Sequence, residues 1–167
     1  MEFELKAVSP EAVARALAKA DRYRLLNEPG EAESICRDVL QVEPDNQEAL
    51  TTLLLALTEQ FDVDASTVVE ACATVGRLRD EYERAYYTGI VAERRAKARL
   101  RHGTLGCGPQ AYEWLRDAMN WYERAEAIRP AGNDDARLRW NACARLIMHN
   151  RHLVPMTDER GEPLLLE

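Results

Sequence analysis

Five cations crowd the eight residues from Arg94 to Arg101: Arg94, Arg95, Lys97, Arg99 and Arg101. On a helix, Arg94, Lys97 and Arg101 share one face and Arg95 and Arg99 another. A patch of this kind suits an acidic partner or RNA. The same residues also serve as a solvated helix end, where cations complement the negative end of the helix dipole. No aromatic side chain interleaves with them, which weighs against nucleic-acid stacking. Gly103, Gly106 and Gly108 follow in a glycine-rich loop. That loop lacks the G-x-x-x-x-G-K-[ST] order of a phosphate loop, and no strand precedes it.

Other reactive residue types are scattered. His149 and His152 stand three apart without further metal ligands nearby. Asp134-Asp135 sits at a helix start, where capping accounts for both acids. No Ser/His/Asp or Cys/His arrangement has recognisable context. Trp114 and Trp121, seven apart, share a helix face suited to core packing or to a partner hot spot. Cys36, Cys72, Cys107 and Cys143 never form a C-x-x-C pair. We expect free thiols, three of them packed as small apolar groups. No metal, cofactor or catalytic residue is assigned, and the chain reads as a non-enzyme.

The totals set the frame. A chain of 167 residues makes one domain or one compact repeat array. Such a chain buries roughly 70% of its unfolded surface without needing a staple. The composition, 46% hydrophobic and 31% charged, is globular. Abundant Ala, Leu, Arg and Glu favour helix over sheet. The net charge of −7 argues against general nucleic-acid binding. Residues 1–60 hold most of it, with 12 acidic and 6 basic side chains. No 18-residue apolar run is present, and the first residues lack a basic-then-apolar leader pattern. A reducing cytoplasm is the expected setting, with no membrane.

Apolar residues recur at three- and four-residue spacing along most of the chain. Ser9-Pro10-Glu11 reads as a helix start, followed by Val13, Ala16, Leu17, Ala20 and Tyr23. Asn27-Glu28-Pro29-Gly30 turns into a second helix bearing Ala32, Ile35, Cys36, Val39 and Leu40, stopped before Pro44. Asp45 with Glu48 suggests a capping box for a third helix over about 47–60. Asp64 is the expected cap of a fourth, ending near Gly76. A long helix over about 80–101, the glycine loop, a helix opened by Pro109 and stopped at Pro130, and a last helix to about His149, capped by Asn133 or Asp134, complete the pattern.

Ala20, Tyr23, Ala32 and Pro44 in one hairpin, and Ala118, Tyr122, Ala125 and Pro130 in a later one, resemble the tetratricopeptide repeat. Gly89 fits the small place on the helix before the second set. Lys19, Cys36 and Val39 depart from the pattern, and the middle repeat is degenerate, with Leu54 at the small place and no closing proline. Aligning the prolines gives units at 13–46, 47–81 and 82–132, then an unpaired helix.

The resemblance implies an all-α solenoid of about three stacked antiparallel hairpins plus a capping helix over residues 10–150. A short lead-in (1–9) precedes it and a tail (151–167) follows. It further implies a concave groove lined by the first helix of each hairpin: Leu17, Asp21 and Arg24; Thr51, Leu55 and Thr58; Tyr86, Ile90 and Glu93; Arg137 and Asn141. Such a groove would hold a peptide or helical segment, making the protein an interaction module or scaffold. RNA or polyanion binding through 94–101 is the alternative. Leu164-Leu165-Leu166, apolar after a polar linker, are expected to dock onto the array or onto a second copy.

Overall fold

The computed structural model describes residues 3–62, 66–103 and 106–156. Among these every regular element is a helix and there is no strand. A short 3₁₀ turn (Pro10–Ala12) leads into α1 (Val13–Leu25), followed by α2 (Pro29–Val42), α3 (Gln47–Thr58), α4 (Ser66–Val75), α5 (Glu81–Arg101), α6 (Cys107–Ala127) and α7 (Asp135–His149). Each helix packs on the next, and α1 also touches α3, as α3 touches α5. No helix among the described residues is long and apolar enough to cross a membrane. The expected cap Asp64 and the leucines 164–166 lie outside the described residues.

Local chemistry sets the boundaries. Proline opens α2, its fixed φ suiting the first turn. Asp80 caps α5 by accepting from the Glu83 N–H at 2.8 Å. Two caps differ from expectation, and one of two expected candidates makes a third. Asn46, not Asp45, caps α3: its Oδ1 accepts from the Ala49 N–H at 2.9 Å, because it stands three residues before that donor. Ser9 makes no side-chain capping bond. At α7 the Asn133 side chain accepts from the Asp135 N–H at 2.9 Å, while Asp134 makes no cap. Between α1 and α2, Asn27 adopts a φ of 61°, a left-handed conformation that asparagine tolerates at helix ends.

Buried side chains fall into two clusters. The first joins α1 to α4, with Leu17, Ala20, Cys36, Leu50, Leu54 and Leu57 at its centre, and takes Val91 and Ala98 from α5. The second joins α5, α6 and α7 around Ile90, Leu115, Tyr122 and Cys143. The long helix α5 therefore belongs to both. Cys36 and Cys143 are buried, Cys107 is half-buried and Cys72 is exposed, so two thiols rather than three are fully packed.

Small residues let α5 and α6 run close. Ala111, Leu115, Ala118, Tyr122 and Ala125 alternate at four and three on α6, against Ala85, Gly89 and Ala96 on α5. Gly89 lies beneath the Tyr122 ring, and a Cβ there would stand 2.6 Å from the ring edge. The last helix is closed by a return of the chain. Leu153 is buried, and the His152 carbonyl lies where a Cβ on Gly108 would be, at 2.1 Å. Leu153 thereby joins the second buried cluster.

Replacing Gly89 with Ala should force the Tyr122 ring off the helix and lower stability by about 1–3 kcal/mol, the usual cost of overpacking. Thermal unfolding followed by circular dichroism checks it. A melt unchanged from wild type would mean that the two helices separate without cost.

Candidate functional site

Of the residues expected to line a groove, four converge. Asp21 and Arg24 from α1 and Thr51 and Leu55 from α3 border a depression of about 430 Å³. Gln47, Glu48 and Thr52 of α3 and Glu83 of α5 complete its lining. The sites repeat at helical spacing: Glu48, Thr51 or Thr52, and Leu55 follow one face of α3, and Glu83 stands three before Tyr86. That periodicity was the available signal for the lining residues not anticipated.

The depression has an acidic character. Arg24 is committed elsewhere: its Nε and Nη2 donate to Glu59 at 3.3 and 2.8 Å, a two-point pair between α1 and α3. Asp21 accepts weakly from the Thr52 hydroxyl at 3.4 Å and stands 3.6 Å from Arg24. Glu48 and Glu83 add two further carboxylates. Burial, and then the charge of Asp80, raise the Glu83 carboxyl above its usual range.

Four expected groove residues are inside the protein instead. Leu17, Thr58 and Ile90 are buried, and Glu93 has no exposed surface at all. Leu17 shares the core stripe of Val13 and Ala20, a face set by helical spacing. Thr58 is accommodated because its hydroxyl donates to the Leu55 carbonyl at 2.8 Å. Tyr86 sits half-buried in a tyrosine cluster, stacked on Tyr82 at 5.8 Å and edge-on to Tyr87 at 5.1 Å. On α7, Arg137 donates to Glu126 at 2.5 Å and to Asp134 at 3.2 Å, pinning the α6–α7 connection. Asn141 is exposed on the same helix.

Glu93 is the centre of a buried polar network that its residue type does not announce. The Tyr122 hydroxyl donates to its Oε2 at 2.6 Å. Lys97, one turn along α5, donates to Oε1 at 2.5 Å, and the Arg139 guanidinium of α7 reaches the same oxygen at 3.4 Å. Burial alone would raise the Glu93 carboxyl. Hydrogen bonds from Lys97 and Tyr122, with the charges of Lys97 and Arg139, outweigh it and hold the group below its usual value. The Tyr122 phenol is raised by burial and by the carboxylate it faces. Burial likewise pushes the Cys143 thiol up to about 12, assisted by Glu93. A thiol so held is protonated and unreactive. The network joins three helices, with Glu93 and Tyr122 buried and Lys97 and Arg139 partly exposed at its edge.

The basic run is largely tied to the protein. Lys97 serves Glu93, and Arg101 donates to Asp62 at 2.6 Å. The Arg95 guanidinium lies 4.0 Å from the centre of the Trp114 ring. Arg99 is half-buried, as is Arg94. Trp121 is covered in turn by Arg124, at 4.4 Å. His149 Nδ1 lies 2.7 Å from the Arg145 carbonyl, a contact within its own helix. No group of three or more metal-ligating side chains is found among the described residues.

Compared with family models, with curated proteins and with solved structures, the chain matches none.

Removing the Glu93 charge should be costly. Glu93→Ala is expected to lose about 1–3 kcal/mol, because the buried Tyr122 hydroxyl would lose its acceptor and Lys97 and Arg139 their counter-charge. The pH dependence has a definite sign. A carboxyl held below its unfolded value contributes stability above that value and loses it as pH falls through the folded one. Acid titration of unfolding should therefore show a loss below the ordinary glutamate range, and Glu93→Gln should flatten that part of the curve. A Glu93→Gln profile parallel to wild type would remove Glu93 from the acid response.

Proposed function

We propose that this protein is a non-catalytic interaction module built as a tetratricopeptide-like array, with a groove on α1, α3 and α5 that binds an extended or helical peptide. The observation that carries the reading is the depression lined by Asp21, Thr51, Leu55 and Glu83 on three alternate helices. The contacts of α1 with α3 and of α3 with α5 support a stacked arrangement, as do the close-packing residues Ala20, Gly89 and Ala118. In this reading α7 serves as the cap, a scaffolding role in the cytoplasm follows, and rigid packing limits the entropy lost on binding.

The lining also favours a type of ligand. Asp21, Glu48 and Glu83 face the opening, while the cation beside them is held by Glu59. A peptide carrying a Lys or Arg side chain next to an apolar residue fits this surface, the latter against Leu55. Electrostatic complementarity of this kind steers and orients association more than it adds affinity.

Selection from a displayed random-peptide library tests the proposal. The wild-type chain should enrich a shared motif with a basic position. A Thr51→Arg, Leu55→Asp double variant with an unchanged melting temperature should lose that enrichment by at least about tenfold, some 1.4 kcal/mol of binding. Equal enrichment by both proteins, or none by wild type, overturns the groove as a recognition surface.

A further inference from the structure

The first hairpin, α1 with α2, is packed against the rest of the chain from one side. Asp21 and Arg24 of α1 reach Thr52 and Glu59. Glu33 and Arg37 of α2 reach Gln60 and Glu70. Helical spacing turns a different set of residues away from these contacts: Arg15, Lys19 and Arg22 on α1, at i, i+4 and i+7, and Glu31 and Asp38 on α2, at i and i+7.

These five charges are unpaired within the described chain, unlike several others. Arg24, Arg37, Lys97, Arg101, Arg129, Arg137 and Arg139 all meet carboxylates within the chain. Among the described residues, the side chains of Arg15, Lys19, Arg22, Glu31 and Asp38 form no hydrogen bond or ion pair with one another or with the rest of the chain. Lys19 alone has a neighbour for its charge, the Tyr23 ring at 5.5 Å. The cations border a depression of about 610 Å³ together with Ala18, Tyr23 and Leu26. Leu26 is 69% exposed, an apolar side chain left in water beside them.

Equal rise per residue on either side of the turn sets the two rows level with one another. The hairpin turns at Asn27, so Arg22, five residues before it, stands at the height of Glu31, four after it. Arg15, twelve before, stands at the height of Asp38, eleven after. Consider a twofold axis parallel to the helices and lying in this outer face, midway between α1 and α2. It sets α1 of one copy over α2 of the other without changing heights. Arg22 then meets Glu31 of the second copy and Arg15 meets its Asp38, each contact occurring twice. Tyr23 and Leu26 supply apolar area along the seam between the rows.

We infer that the outer face of the α1–α2 hairpin is a self-complementary surface through which two copies of this chain pair. The arrangement of charge favours a second copy over any polyanion. An acidic peptide or a nucleic acid would satisfy the α1 cations but would bring negative charge against Glu31 and Asp38. A second copy satisfies both rows. Exposed ion pairs contribute little affinity one by one, yet they set the register of an interface and reject misaligned ones. The inference is independent of the α1–α3–α5 groove, which lies on another side of α1.

Sedimentation of the full chain at low and high salt provides the test. Wild type should dimerise at low salt and weaken as salt screens the pairs. Arg15→Glu with Arg22→Glu makes both rows net acidic, Lys19 remaining, and Glu31→Arg with Asp38→Arg makes both rows basic. Each double variant, shown folded by its helical signal and melt, should dimerise at least about tenfold more weakly than wild type. Mixed in equal amounts, the two should form a heterodimer, which only the proposed pairing of α1 with α2 explains. A wild-type chain that stays monomeric overturns the inference. So does a double variant that dimerises as wild type does, a mixture that does not associate, or a monomer that instead binds polyglutamate or RNA through Arg15 and Arg22.

Discussion

The contact between Gly89 and Tyr122 governs the second half of the molecule. With no Cβ on Gly89, the aromatic ring lies directly against the α5 backbone. The hydroxyl at the far end of that ring then falls one turn along α5, at Glu93. A carboxylate so deeply placed is tolerable only with opposite charge beside it, because an unpaired buried ion is far too costly. Lys97 supplies one cation from the same helix and Arg139 brings another from α7. A missing methyl group thus determines where three helices meet. Apolar replacements of buried ion pairs are often as stable as the originals, so the network matters for the alignment it imposes as much as for its strength.

Spacing was a good guide to the helices and a partial guide to the surface. The stripes of Val13, Leu17 and Ala20, or of Ala111, Leu115 and Ala118, show which face of a helix is dry. Pro29 marks the start of α2, whereas α6 begins at Cys107, two residues before the expected Pro109. The cap of α3 shifted by a single residue, from Asp45 to Asn46, because both side chains are good caps and only the backbone geometry separates them. The groove was harder to read. Asp21, Arg24, Thr51 and Leu55 do come together, whereas Leu17, Thr58 and Ile90 are turned inward. One helix considered alone does not reveal the direction from which its neighbours approach.

Glu93 shows the limit most sharply. By residue type it belongs in water, and its i+4 lysine reads as an ordinary surface pair. Its burial depends on Tyr122, which is 29 residues away, and on Arg139, which is 46 away. The basic run 94–101 carries the same lesson, since Asp62 and Trp114, which occupy Arg101 and Arg95, lie on other elements. Charge patterns describe what is available, and the tertiary arrangement decides what remains unengaged.

The closure of Gly108 against His152 has a consequence in time. Residues 150–153 fold back on the start of α6, so α6, its turn and α7 make a ring of contacts. A chain emerging from the ribosome presents α6 well before that returning segment exists. The beginning of α6 is therefore left without its covering until synthesis has passed Leu153, and the last hairpin is sealed only then.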